Sequence, residues 1–222
     1  MYSVNNSAKI FTSGSAKFEA LKHDLRNARE SIFMQYYIFM DDHIGHEIAE
    51  ILKERARAGV PVKVMYDHIG SFSSSNSFWR DMEKAGVDTH PFFRVNFPQL
   101  ANRLNWRNHR KICVIDGQVG FTGGINLADE YINKVERFGH WKDTSVLLRG
   151  AAVRSLTRMF LQQWTLNAGS DTLDRPEEEY LTARALPAQG YAQPYPDSPL
   201  DHFNAAENAY PVSYTHLTLP TN

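Results

Sequence analysis

"HRKICVIDGQVGFTGG", residues 109–124, decides how this chain is read. Its centre, Ile112 to Ile115, is apolar and branched like the inside of a sheet, and Asp116–Gly117 reads as a tight turn into a partner strand. Its beginning sets His109 and Lys111 two residues apart, which on an extended chain is one face, with Arg110 and Ile112 on the other. Asp116 has the opposite parity, so its carboxylate reaches the same place only if the strand ends or bends there. Further on, Gly123 and Gly124 permit a close approach of backbone to a ligand, and Asn126 offers a side-chain donor.

Around this stretch the chain alternates between two periods. Residues 17–31 have helical spacing, with Phe18, Leu21, Leu25 and Ala28 on one face; residues 31–39, "SIFMQYYIF", form a nearly all-apolar run of strand length. A second helix is expected over 43–59, aligning Ile44, Ile48, Ile51 and Leu52, with Gly59 as its stop. "VPVKVMYDHIG" is a buried strand, "SSSNSFWRDMEKAG" a serine- or asparagine-capped helix, and "VDTHPFF" a third strand. "HWKDTSVLLRG" adds a strand, and residues 151–167 close the unit as a helix with Val153, Leu156, Phe160 and Trp164 facing inward. Strand and helix in alternation predict an α/β fold: a mixed sheet flanked by helices on both faces, spanning residues 1–168. Residues 169–196 are rich in Pro, Gly and acids and read as a linker or surface excursion.

Composition narrows the chemistry. The 222 residues are 42% hydrophobic and 22% charged with a net charge of −1, so nothing global draws the chain to nucleic acid or to an anionic membrane, and no nucleic-acid partner is expected. The single cysteine, Cys113, excludes an internal disulfide or a thiolate metal cluster and reads as a small buried hydrophobe. No stretch approaches the ~18 apolar residues of a membrane helix. Local charge is another matter. Residues 89–115 contain no Asp after residue 88 and no Glu, yet hold Arg94, Arg103, Arg107, Arg110 and Lys111. That surface suits an anion, phosphate most readily. A neutral imidazole can attack phosphorus while ammonium and amide donors stabilise the oxygens, with neither metal nor cofactor required.

Two residues at strand spacing do not by themselves distinguish such a site from a structural histidine beside a solvated lysine. The longer pattern, H-x-K-x4-D followed six residues later by "GGIN", resembles the signature of the phospholipase D superfamily. Gly124 stands where that signature usually has serine; the Gly-Gly form, with "FMQYYIF", "RNHRKICVIDG", "FTGGINLADEYIN", "RFGHWKDT" and "MFLQQW", is similar to the bacterial cardiolipin synthases. The resemblance implies a phosphatidyl transferase that converts two phosphatidylglycerols, or related anionic phospholipids, into cardiolipin and glycerol through a phosphohistidine. His109, Lys111 and Asp116 would be its catalytic set, Asp116 in a supporting role. Gly123, Gly124, Asn126, Asn108 and Arg107 would hold the phosphate, without a cofactor or metal.

The family carries two copies of the motif, and none of the other histidines here opens a second one. His43 and His46 stand at helical spacing, but as an exposed helix start rather than a metal pair; Trp141 and Asp143 read as domain-closing packing residues. Residues 197–210 resemble the start of a second half, and 211–222 read as foreign sequence. The expectation is therefore an N-terminal fragment of a membrane-bound enzyme with its catalytic domain on the cytoplasmic side, inactive without the missing half. Two alternatives stay open: a one-motif phosphodiesterase or nuclease working as a homodimer, and a non-catalytic domain binding lipid phosphate.

Overall fold

The computed structural model describes residues 3–92, 94, 107–137, 139–188, 190–196 and 208–211. Arg103, most of the segment read as the start of a second half, and all but residue 211 of the final segment lie outside them.

The apolar runs become one mixed sheet of eight strands among the described residues: β1 (Ser3–Phe11), β2 (Ile32–Tyr36), β3 (Val62–Asp67), β4 (Asp88–Phe92), β5 (Ile112–Ile115), β6 (Val119–Gly123), β7 (Ser145–Gly150) and β8 (Gly190–Ala192). Their spatial order is β4-β3-β2-β5-β6-β7-β1-β8. β2, β3 and β4 run parallel, joined by α2 (His43–Arg57) and α3 (Asn76–Lys84), while the remaining pairings are antiparallel. α1 (Gly14–Arg26), α2 and α3 cover one face; α4 (Val153–Ala168) covers the other. The expected arrangement, helices on both faces of a mixed sheet, is the one observed.

Sequence chemistry explains the elements. Ser13, Asp42 and Ser75 cap α1, α2 and α3 by accepting from Ala16, Gly45 and Phe78 N–H. Phe18, Leu21 and Leu25 of α1 and Ile44, Ile48, Ile51 and Leu52 of α2 are buried against Met34, Val64 and Cys113. On the far face Phe160 stacks on Phe33, with centroids 4.9 Å apart, and Trp164 is wholly buried. At the β5–β6 turn both Asp116 and Gly117 take positive φ, as a type I′ hairpin requires. Residues 169–196 do not stand clear of the sheet. Tyr180 and Ala183 enter the second core and β8 extends the sheet past β1.

β1 is the element that residue pattern does not announce. "SVNNSAKIF" lacks alternation, Val4 and Ile10 are 44% and 67% exposed, and pairing with β7 and β8 makes it a strand. No helix among the described residues is long and apolar enough to cross a membrane.

One buried charge tests this core. Lys17 is 1% exposed, donates to Tyr36 Oη at 2.9 Å and lies 3.8 Å from the Phe18 ring centroid. Burial brings its pKa down to about 7. An unfolded lysine stays protonated to higher pH, so this site destabilises the fold most at and below pH 7 and the penalty fades as pH rises toward the ordinary lysine value. Lys17→Met is therefore expected to be more stable than the parent at pH 7, by a margin that shrinks by pH 10. Chemical denaturation at both pH values measures it; a pH-independent margin contradicts the burial of a neutral amine.

Candidate active site

The register of β5 places the site. Ile112 pairs with Gln35 of β2 and with Thr122 of β6, so Lys111 lies at the carboxyl end of β2, level with Gly123, and residues 109–110 lie just beyond it. β3 ends there too, at Asp67, and β7 begins there, just after Asp143 and Thr144. Ligands of open α/β sheets gather at this end of the parallel strands.

His109 and Lys111 come together as expected. Lys111 Nζ lies 3.0 Å from His109 Nδ1 and donates to the His109 carbonyl at 2.8 Å. Lys111 is 4% exposed, and burial pushes its pKa down to about 8, with the Asp143 carboxylate holding it up. The His109 ring is open to solvent on one side and packs on Tyr37 on the other, with centroids 4.7 Å apart. Burial first and the Lys111 charge second lower its pKa from the ordinary imidazole value, so the ring is neutral near pH 7. Nε2 makes no hydrogen bond among the described residues.

The flanking residues build the frame. Arg107 is 3.7 Å from Asp67 Oδ1, an oxygen that also accepts from Ile69 and Gly70 N–H. Asn108 donates to Gln163 of α4 at 3.3 Å and accepts from Arg110 N–H. Asn126, 3% exposed, accepts from Ile38 N–H and donates to Tyr131 Oη, fixing the segment that follows β2. Gly124 donates its N–H to the Thr144 carbonyl.

The two glycines are crowded in different ways. A Cβ at Gly123 would sit 2.5 Å from the Thr144 carbonyl oxygen, and its φ is +140°. At Gly124 the obstacle is a side chain: Asp143 Oδ1 would lie 2.1 Å from the Cβ. The carboxylate that supports Lys111 thus fills the space a serine would need.

Asp116 is not part of the cluster. It stands at the other end of β5, roughly 15 Å from Lys111 along the strand. Its carboxylate accepts from Arg29, Glu30 and Ser31 N–H at 2.7–3.0 Å, clamping the start of β2. His43 and His46 are half-exposed and pair with Glu47 and Asp41. No group of metal-binding residues occurs among the described residues.

A family model described as "Cardiolipin synthase, PLD-like domain" matches residues 21–164. The chain belongs to this family. It is similar to cardiolipin synthase 2 of Bacillus cereus, 45% identical over 184 residues, which are 83% of this chain and 35% of that protein. The chain thus spans about a third of that relative's length. In fold it is similar to phosphatidylserine synthase from Haemophilus influenzae, with a TM-score of 0.57 at 15% identity over 78% of this chain and 41% of that one. It is also similar to Nuc, a phospholipase D family member from Salmonella typhimurium, with a TM-score of 0.54 at 18% identity over 73% of this chain and 96% of that one.

Three residues at this cardiolipin synthase-family site escape a reading of the motif alone. Tyr37 carries both the His109 ring and the Lys111 ammonium, which lies 5.5 Å from its centroid. Asp67 is 1% exposed and its charge reaches His109. Asp143 acts on Lys111 through its charge, and Trp141 packs on Tyr131. A carboxylate ending an otherwise buried strand, as in "VKVMYD", was the available signal for Asp67.

The glycine geometry separates two substitutions. Gly123→Ala meets backbone at positive φ and is expected to destabilise the fold by about 1–3 kcal/mol or more in a thermal or denaturant melt. Gly124→Ser is expected to fold normally but to displace Asp143, so that Lys111 titrates below its parental value when followed by lysine-selective NMR. Equal melts for the Gly123 variant and its parent, or an unmoved Lys111, contradict this geometry.

Proposed function

We propose that this chain supplies one half-site of a phosphatidyl transferase that joins two phosphatidylglycerols into cardiolipin, with His109 as nucleophile and Lys111 as the phosphate-holding cation. The observation that carries the reading is the contact of a buried ammonium, with no carboxylate in ion-pair contact among the described residues, with the ring of a neutral, partly open histidine. Membership of the cardiolipin synthase family and the names of its relatives favour a lipid phosphodiester as the substrate.

Proton positions order the steps. While Lys111 donates to Nδ1, the neutral ring carries its proton on Nε2, the wrong tautomer for attack by that nitrogen. A phosphodiester offers the ammonium stronger, charged acceptors. Once Lys111 turns to them, Nδ1 takes the proton and Nε2 gains a free lone pair. Nε2 then attacks phosphorus, forming a P–N bond as the P–O bond to the leaving glycerol breaks. The leaving oxygen takes a proton from the histidine of a second motif copy. That histidine then removes the proton of the incoming hydroxyl, whose oxygen forms the new P–O bond as the P–N bond breaks. The second copy lies in the remainder of a longer chain or on a partner. The substrate anchors both halves to a membrane surface. In this reading Asp116 acts from a distance, setting the register of β5 on β2.

In protein carrying both motif copies, His109→Ala is expected to lose phosphatidylglycerol-dependent cardiolipin formation by on the order of 10⁴-fold or more, with an unchanged melt. Normal product from that variant would remove the catalytic assignment, and cleavage of DNA in place of lipid would favour the nuclease alternative.

The pH profile follows from the same pair. Attack needs neutral His109, whose pKa is lowered, so the acid limb of kcat/KM is expected below pH 6.5. Phosphate capture needs charged Lys111, so activity is expected to fall above about pH 8. Arginine does not deprotonate in this range, so whatever activity Lys111→Arg retains should lack that alkaline limb. An alkaline limb unmoved by the substitution assigns it to another group.

A further inference from the structure

At the end of β3, beside Asp67, is a cavity of about 380 Å³ lined by the two residues that flank it in sequence, Tyr66 and His68. His68, which follows Asp67, and Arg94, just past β4, form one wall; the loop 71–76 forms the other. Its floor is the face-to-face stack of Tyr66 and Trp79, with centroids 3.6 Å apart and planes within 4°. Phe72 stands at the lip, 79% exposed.

The loop is held from within. Ser71 Oγ accepts from Phe39 N–H at 3.0 Å; Ser74 Oγ donates to the Phe39 carbonyl at 2.7 Å and accepts from Asp41 N–H at 3.0 Å. Ser75 Oγ donates to Asp41 and caps α3. With those hydroxyls engaged, the cavity presents a guanidinium, an imidazole and aromatic faces, with Ser73 and Asn76 beside them, and no carboxylate lines it among the described residues. Burial first, then the charges of Arg94 and Arg107, lower the pKa of His68. Its ring is therefore neutral near pH 7 and can exchange hydrogen bonds with a hydroxyl, while Arg94 carries the charge. Asp67 is the common neighbour of the two places: its charge reaches both His68 and His109.

Joining two anionic lipids requires holding two phosphates at once. One is the phosphoryl group in transfer. The other belongs to the lipid that supplies the attacking hydroxyl, and it sits a glycerol unit away from that hydroxyl. Its site must be cationic, separate from Lys111 yet adjacent, wide enough for a glycerol, and open to acyl chains at one edge. We propose that the His68–Arg94 cavity is this subsite, with Arg94 on the phosphodiester of the hydroxyl-donating lipid, His68 on its glycerol, the Tyr66–Trp79 stack under the glycerol carbons, and Phe72 against the first acyl carbons. The assignment rests on the transferase reading above.

The test is ligand titration of the chain followed by histidine and tryptophan side-chain NMR, using glycerol 1-phosphate, inorganic phosphate and dihexanoyl phosphatidylglycerol as probes. Glycerol 1-phosphate is expected to shift His68 and Trp79 saturably and to bind more tightly than inorganic phosphate. Arg94→Gln should weaken it roughly tenfold, the loss of one charged hydrogen bond, and His109→Ala should leave it unchanged. Phe72→Ser should weaken the short-chain lipid but not glycerol 1-phosphate, which separates a lipid ligand from a free phosphate. Silence of His68 and Trp79 while His109 responds overturns the subsite and leaves the transferase reading intact. A response of His68 with none at His109 retains the cavity as an anion site and removes the catalytic reading beneath it. Equal binding by the Arg94 and Phe72 variants overturns the proposal whichever histidine responds.

Discussion

A lysine that is 4% exposed, with no carboxylate in ion-pair contact among the described residues, has to place its ammonium somewhere, and Lys111 places it on the ring and carbonyl of His109. The rest of the site is organised around that constraint. Tyr37 backs both groups, Asp143 occupies the space beside Gly124 and supports the charge, and Asp67, 3.7 Å from Arg107, acts on His109 through its charge. A poorly solvated ammonium without a full counter-charge is a site prepared for an anion.

The motif spans two functions because β5 spans two ends of the sheet. Its first residues lie where β2 and β3 end, and its last, Asp116, lies where β2 begins. There the carboxylate gathers three successive backbone N–H groups that would otherwise lack partners. One short strand thus carries reactive groups at one end and its own registration device at the other, and the fixed spacing of histidine, lysine and aspartate is the length of that strand plus its flanks.

Much of the fold was legible because burial and period coincide. The helical faces of α1, α2 and α4 and the apolar runs of β2, β3 and β5 are the parts whose side chains enter the two cores. β1 was not legible, because its residues are polar and its strand form comes from β7 and β8 rather than from its own preferences. Nor was the packing of Tyr180 and Ala183, which sit in a segment whose Pro, Gly and acidic texture reads as a connection. In the site, the contact of His109 with Lys111 followed from spacing, whereas Asp116, expected in the catalytic set in a supporting role, is set apart by the length of β5. The roles of Asp67 and Asp143 did not follow, since each depends on strands brought side by side from distant parts of the chain. Asn126 and Asn108 have the right chemistry for phosphate, yet each uses its amide to brace neighbouring backbone or α4.

The central claim is that the open nitrogen of His109 bonds to phosphorus. Protein carrying both motif copies, mixed with phosphatidylglycerol and quenched under alkaline conditions that preserve phosphoramidates, can be digested and examined by mass spectrometry. The account predicts an acid-labile phosphatidyl adduct on the peptide containing His109, absent from the His109→Ala variant. An adduct confined to the histidine of the other copy, or turnover with no adduct on either, would contradict it.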